Sequence, residues 1–374
     1  MLTVKRVENA KDIKEFIELP LSLYKGCEYF VPPLYSDEKK LIREGGNSEN
    51  AESVFFLAQR DGRTVGRIQG IIQKQYNEIH NTRQARFTRF DSVDDGEVAA
   101  ALFSAVESWA KEREMTEVCG PLGYSDLDRE GLLVEGFSEN STFEEQYNYE
   151  YYMGLIESSG YAKDVDWVEY SLKCPEKPNE MLSRLAKRTL ELNKLHIAST
   201  DMSKRKYIEK YRDGFFACLD ECYSKLYGTV PISKEMQDEL VSQFMLIVNK
   251  KYLVFVCDES ERVVGFALCF PAIGDAVKKS GGRMTLPTLL RILRAIRRPK
   301  VIDLGLVAVL PEYQNTGINA VFLDGMLRFF KEGGIEACET NLNLESNAAV
   351  RSQWKYFDSR QHKRRRSYIK KIGE

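Results

Sequence analysis

An α/β protein built from two tandem copies of one unit is the fold class this sequence predicts, and three observations predict it. Its 374 residues exceed the ~100–200 of an ordinary domain. Strand-like and helix-like periods alternate along the chain. The second half echoes the first: Phe55-Phe-Leu-Ala-Gln-Arg-Asp-Gly-Arg-Thr-Val-Gly-Arg-Ile is matched by Val254-Phe-Val-Cys-Asp-Glu-Ser-Glu-Arg-Val-Val-Gly-Phe-Ala, both strand, polar turn, strand. Their shared Arg-x-Val-Gly lies 199 positions apart (262 − 63), and a second echo, Thr116-Glu-Val-Cys against Ile335-Glu-Ala-Cys, lies 219 apart (335 − 116). The later copy therefore carries about twenty extra residues, placed at Pro271–Lys300.

The first copy opens with a strand at Leu2–Val7 and helical pieces at Asn9–Lys25 and Ser36–Arg43. The hairpin follows, then a strand near Ala85–Phe90. Asp94 or Asp95 caps a helix over Glu97–Glu114, whose Val98, Leu102, Ala105, Val106 and Trp109 share one face. A strand at Glu117–Gly120, a helix at Tyr149–Ser159 and a strand at Trp167–Leu172 complete this copy. The prolines of Cys174-Pro-Glu-Lys-Pro-Asn mark a linker, so residues 1–173 and 195–374 are the expected units, joined by a linker and helix over 174–194. The second copy repeats the order. A strand at His196–Thr200 leads to helices at Lys204–Leu226 and Lys234–Val248, the hairpin, and a strand at Val301–Val309. Helix Ile318–Lys331, strand Ala337–Leu344, helix Asn347–Phe357 and strand Ser367–Ile372 close it.

Composition narrows the function classes. With 54 Lys plus Arg against 56 Asp plus Glu, no overall charge draws the chain to nucleic acid or an anionic membrane. No run approaches the ~18 apolar residues of a membrane span, and no leader pattern opens the chain, so a cytoplasmic protein is expected. Eight scattered cysteines read as reduced core thiols. Cys218 and Cys222 are helically spaced but lack the second pair a structural zinc site needs, and the three histidines are dispersed, so no metal is expected. The handles of hydrolases, zinc proteases, nucleotidases and dinucleotide enzymes are missing from the sequence.

Chemistry becomes legible at Val307-Ala-Val-Leu-Pro-Glu-Tyr-Gln-Asn-Thr-Gly-Ile-Asn-Ala, which runs from a buried strand through a Pro-marked turn into a helix. Backbone N–H groups at such a helix start, with the helix dipole, suit a phosphate or pyrophosphate. A turn that merely caps a helix has the same pattern. The segment resembles the pyrophosphate loop of the GCN5-related N-acetyltransferase (GNAT) superfamily, Arg/Gln-x-x-Gly-x-Gly/Ala after a strand ending Val-x-Pro, here Gln314-Asn-Thr-Gly317-Ile-Asn319. Glu345-Ser-Asn347-Ala-Ala-Val resembles the family's next signature. Leu23-Tyr-Lys-Gly, Val31-Pro-Pro-Leu and Gly131-Leu-Leu-Val-Glu-Gly-Phe are similar to an uncharacterised tandem-domain bacterial group of that superfamily.

The resemblance implies two tandem GNAT-like domains with mixed central sheets flanked by helices, and an N-acyltransferase that moves the acyl group of acetyl-CoA or another acyl-CoA to a small-molecule amine. It implies that Gln314, Asn315, Thr316, Gly317, Ile318 and Asn319 hold the pyrophosphate, that Asn347 lies near the pantetheine, and that strand amides around Val307 and Val309 are oxyanion donors. Asp303 falls where some relatives place a general base. Trp354 stands where a tyrosine acid is common, leaving Tyr356, roughly 200° further around the helix, as the nearby hydroxyl. Asn319 adds bulk where a small residue is usual. In the first copy, Phe90-Asp-Ser-Val-Asp-Asp95-Gly puts three carboxylates where the loop would be. Pyrophosphate is repelled there, so this copy is expected to shape the acceptor pocket. A non-catalytic binding protein on the same scaffold and an aminoacyl-tRNA-dependent transferase are the competing readings.

Eight basic and no acidic residues occupy 278–300, where Leu286, Leu289, Leu290, Leu293 and Ile296 recur at helical spacing. A lid helix with a solvated charged face fits this pattern. So does an anionic partner at this insert: CoA phosphates, an acidic acceptor or a membrane surface. Residues 91–146 hold fifteen acidic and three basic residues, expected as solvated face and as a docking partner for the insert or for Lys363-Arg-Arg-Arg366. Tyr147-Asn-Tyr-Glu-Tyr-Tyr152 reads either as packing or as a pocket lining. A homo-oligomer is compatible with all of this.

Overall fold

The computed structural model describes residues 1–44, 49–175 and 179–373. Its first half runs β1 (Leu2–Arg6), α1 (Ala10–Leu23), α2 (Tyr35–Arg43), β2 (Ala51–Arg60), β3 (Arg63–Gln73), α3 (Lys74–His80), β4 (Gln84–Ser92), α4 (Gly96–Lys111), β5 (Glu117–Gly120), β6 (Leu132–Glu135), α5 (Tyr151–Ser158) and β7 (Ala162–Lys173). Residues 176–178 of the expected linker lie outside the described residues, and α6 (Glu180–Leu192) follows. The second half runs β8 (His196–Ile197), α7 (Lys204–Tyr223), α8 (Lys234–Phe244), β9 (Leu253–Cys257), β10 (Val263–Pro271), α9 (Gly274–Lys278), α10 (Leu286–Arg297), β11 (Val301–Val309), α11 (Ile318–Gly333), β12 (Ala337–Thr340), β13 (Asn343–Leu344), α12 (Ala348–Arg351) and β14 (Asp358–Lys371).

The repeated order is present, and both halves feed one mixed sheet, ordered β1-β2-β3-β4-β5-β14-β7-β12-β11-β10-β9-β8. Each half contributes an antiparallel hairpin and a parallel pair, β4 with β5 and β11 with β12. The final strands are exchanged at the centre. β14 lies antiparallel between β5 and β7, and β7 in turn pairs β12, so the last strand of each half completes the sheet of the other.

Charge holds this crossing together. Glu169 on β7 is fully buried and meets Lys363 at 2.8 Å and Arg365 at 2.7 Å, while Asp166 takes Arg364 at 3.0 Å and Arg366 at 2.8 Å. Despite burial, the Lys363 and Arg365 charges hold the Glu169 carboxyl down to about 2. The basic tail run is therefore interior structure, and acids of residues 91–146 do dock on it: Glu145 on Arg365 and Glu135 on Arg364.

Several expected elements differ: the strand expected over Ala337–Leu344 is two pieces, β12 and β13, and β7 starts at Ala162, before the expected Trp167. The last strand begins at Asp358 instead of Ser367, because its charged side chains conceal a strand from any apolar alternation. The helix expected over Asn347–Phe357 is four α-helical residues followed by a 3₁₀ turn over Ser352–Tyr356, with Asn347 capping its start through the Val350 N–H. Apolar faces of α4 and α11 form the two main cores: Val98, Leu102 and Val106 in the first half, Val321, Phe322 and Phe330 in the second.

Candidate active site

Parallel strands β11 and β12 are paired only from Val301–Leu304 with Ala337–Thr340; after the Asn341 N–H reaches the Leu304 carbonyl they part. A register shift in the β10–β11 ladder leaves Gly305 as an extra residue at that point. On the far side, β13 turns away to pair β7 through Asn343 and Leu344. The wedge between the strands opens into a cavity of about 520 Å³, lined by Leu304–Val309 on one edge and Thr340–Leu344 on the other.

Orientation along the free edge of β11 follows from its bonds. Leu310 N–H donates to Val264 O on the β10 side, so the alternate residues Val307 and Val309 turn their polar groups to the wedge. The Tyr223 hydroxyl donates to Val307 O at 3.2 Å and Gln314 Nε2 to Val309 O at 3.2 Å. Both carbonyls are thereby covered from within the cleft.

Beyond the strand, Asn315 at φ 64° and Gly317 at φ 95° take left-handed conformations that swing the turn into α11. No side chain caps that helix: Gly317 is its N-cap residue and has none to offer. A side chain at Gly317 would also be strained by its φ, and its Cβ would stand 2.6 Å from Thr189 Oγ1 on α6. Gln314, Asn315, Asn319 and Asn347 line the cavity, whereas Thr316, Gly317 and Ile318 form the turn behind it, with Thr316 bonded to Tyr313 O and Ile318 buried in the core.

The first half has the same strand pair with its wedge shut. Asp95 caps α4 by accepting from the Glu97 and Val98 N–H groups and is itself paired with Arg60. The Tyr152 hydroxyl accepts from Ser92 N–H, and the Leu122 N–H closes onto Phe87 O at 2.9 Å. Asp91 is buried against Arg67 at 2.7 Å and the Tyr24 hydroxyl at 2.8 Å. The tyrosine cluster is packing: Tyr147 and Tyr152 are buried in this core.

This half contributes to the cavity by another route. The segment between β5 and α5 brings Asp126, Glu130, Glu144 and Glu145 to the cavity wall, and β7 adds Trp167. The same lining includes an apolar set from two helices: Phe215, Phe216 and Leu219 of α7 and Leu240, Val241 and Phe244 of α8. Glu130 is 5% exposed, and one of its oxygens has no hydrogen-bond partner. Burial pushes the Asp126 carboxyl up to about 6 and the Glu144 carboxyl up to about 7, and lifts Glu130 well above the carboxylate range. Sequence reading placed these acids on a solvated face. Their scatter over twenty residues carried no motif, and only the chain crossing gathers them.

Asp303, which falls where some relatives place a general base, is 1% exposed and outside the cavity lining; it lies mid-sheet between Phe270 and Glu339, where burial and then Glu339 raise its pKa well above normal. Tyr356 is 42% exposed and also outside the lining, whereas Trp354 is buried and in it. Among the described residues no cluster of His, Cys, Asp and Glu is placed to hold a metal, and no helix is long and apolar enough to cross a membrane.

No family model matches the chain. It is 23% identical to "Protein YghO" of Escherichia coli K12 over 376 residues, spanning 99% of this chain and 95% of that protein. It is 26% identical to the "Bacterial ceramide synthase" of Caulobacter vibrioides over 286 residues, 76% of this chain and 73% of that one. Among solved structures, a tandem GNAT protein from the clavulanic acid biosynthesis pathway superposes on 100% of this chain and 99% of its own, with TM-score 0.56 at 12% identity. A GCN5-related N-acetyltransferase from Sphaerobacter thermophilus covers 100% and 96%, with TM-score 0.53 at 11% identity.

Proposed function

We infer that this chain, which carries the tandem GNAT fold along its whole length, is an N-acyltransferase that moves the acyl group of an acyl-CoA to an amine, with one donor site, in the second half. The observation that carries the reading is the asymmetry of the two wedges. The α4 terminus is filled by Asp95, while the α11 terminus has no side-chain cap and stands over an open wedge. An uncapped helix N-terminus leaves N–H groups and a dipole that a diphosphate satisfies. Gln314, Asn315 and Asn319 would border the diphosphate, and Asn347 the pantetheine. The Val307 N–H, directed to the wedge, would polarise the thioester carbonyl.

The apolar wall of α7 and α8 supports a long-chain acyl group or acceptor, in keeping with the similarity to a ceramide synthase. Tyr223, whose hydroxyl already sits on the wedge edge, is the group placed to protonate the departing thiolate in the absence of a tyrosine at position 354. Turnover of palmitoyl-CoA with an added long-chain amine, followed as released thiol, tests the reading. Thiol release that requires the amine and falls by tenfold or more in Tyr223→Phe supports it; an acyl-CoA that neither binds nor turns over refutes it.

A further inference from the structure

The carboxyl groups in the cavity are costly to the fold. Burying a carboxyl without a matched cation or donor opposes folding unless it stays protonated, and of the five first-half acids that line this space Glu130 and Glu145 are buried, Asp126 and Glu144 half-buried and Asp128 exposed. Their neighbours do not neutralise them all. Glu145 has Arg365 at 3.3 Å, but that guanidinium is nearer to Glu169, at 2.7 Å, and burial, only partly offset by Arg365, leaves the Glu145 carboxyl raised. Arg129 faces Glu144 yet spends its Nη2 on the Phe143 carbonyl, and Arg86, whose charge reaches Asp126 and Glu130, is bonded to the carbonyls of Gly123 and Gly228. Arg212 of α7 lines the same cavity and is paired with Asp238, and Asp220 of α7, outside the lining, adds a like charge near Asp126; Asp128 on the acids' own segment is occupied by the Tyr124 and Ser125 N–H groups. Glu130 keeps an unpartnered, buried oxygen on the cavity wall, beside Gly228 in the turn that follows α7.

A recess whose lining joins carboxyl groups lacking matched cations to phenylalanine and leucine side chains complements an amphiphile with an apolar tail and a cationic head, whose charge would favour the ionised carboxylates. We propose that Asp126 and Glu130 form the binding site for the ammonium head of a single-chain long-chain amine, with Asp126 as the group that takes its proton, while the tail lies along α7 and α8. The donor assignment under the proposed function is the premise for the catalytic part; the ammonium site itself stands on the cavity.

An alkylamine has a pKa near that of lysine, ~10.4, and arrives protonated. The ammonium gives one proton to the Asp126 carboxylate, and the freed lone pair attacks the thioester carbonyl carbon. The C–N bond forms and the C–S bond breaks. The thiolate leaves as free thiol with the Tyr223 hydroxyl proton, the nitrogen's second proton restores that hydroxyl, and Asp126 returns its proton to water. With its carboxyl pushed up to about 6 by burial, Asp126 is ionised at neutral pH yet basic enough to accept. The first copy, which closed its own diphosphate site, has thus become the acceptor half.

Dodecylamine and dodecanol share a tail and differ in head charge, and Trp167 and Trp354 in the cavity wall report binding by fluorescence. At pH 8 the wild-type chain is expected to bind dodecylamine at least tenfold more tightly than dodecanol. At pH 5 that preference shrinks, and in Asp126→Asn/Glu130→Gln it disappears while dodecanol binding is unchanged. Palmitoyl-CoA titrated into the same variant should bind within twofold of wild type, which also establishes that it folds. Equal affinity for amine and alcohol in the wild type, or a preference that survives in the double variant and in Glu130→Gln alone, overturns the ammonium site. Failure of palmitoyl-CoA to bind wild type, with the amine preference intact, overturns the donor assignment instead.

Discussion

At the scale of single residues, the account turns on side chains that are absent in one half and present in the other. Gly317 is the sharpest case, since both its φ of 95° and the 2.6 Å approach of Thr189 Oγ1 exclude a side chain. Gly317→Ala should cost about 1–2 kcal/mol in stability, measured by chemical denaturation, and weaken acyl-CoA binding. The buried acids give the opposite signature. Glu144 has its carboxyl pushed up to about 7 by burial against an ordinary 4.5, so the folded state holds that proton more tightly than the unfolded chain. Stability from this group is fully present below pH ~4.5 and is lost as pH rises through ~7. Glu144→Gln removes that loss: its melting temperature should match wild type at pH 5 and exceed it by several degrees at pH 8.5. Asp303, enclosed within the sheet, should behave likewise, and Asp303→Asn should leave kcat within about twofold of wild type.

Among elements, those with strong periodicity were legible from sequence alone. The α11 helix and the β11 strand match their expected ranges because an apolar stripe and a buried apolar run determine them. What failed was set by tertiary charge. β14 has Lys363-Arg-Arg-Arg at its centre and becomes a strand only because Glu169 and Asp166 on β7 receive those cations. The cavity acids were hidden for the same reason. The basic insert is half of what its pattern implied. Thr288 and Ile292 anchor α10 on the body, yet Leu286 and Leu290 are 70% and 59% exposed, and among the described residues Arg294, Arg297 and Arg298 make no ion pair. We propose an anionic bilayer surface as the partner of that face, at ~1 kcal/mol per cation. The chain should co-sediment with phosphatidylglycerol vesicles and not with phosphatidylcholine vesicles, and Leu286→Glu/Leu290→Glu should reduce pelleting about tenfold. Pelleting unchanged by those substitutions would contradict the assignment.

Over the whole molecule, two repeats were read correctly as two copies of one plan, but the crossing of their last strands was invisible, because the pairing partners lie about 200 residues apart and no local signal encodes a choice between them. The consequence is one cooperative body. β5 has no partner on its outer edge without β14, nor β12 without β7, so residues 1–173 and 195–374 expressed separately should each lack a cooperative thermal transition, while the intact chain melts in one step by calorimetry. The same crossing carries the acids of one half to the wedge of the other. The division of labour therefore depends on the exchange.

Calorimetric titration of palmitoyl-CoA into wild type and Gly317→Arg, with circular dichroism to establish that both are folded, decides whether the α11 terminus is the one live diphosphate site. Saturable heat at one site per chain in wild type and none in the variant is the result this account predicts. Equal heats in the two proteins, or two sites per chain, would contradict it.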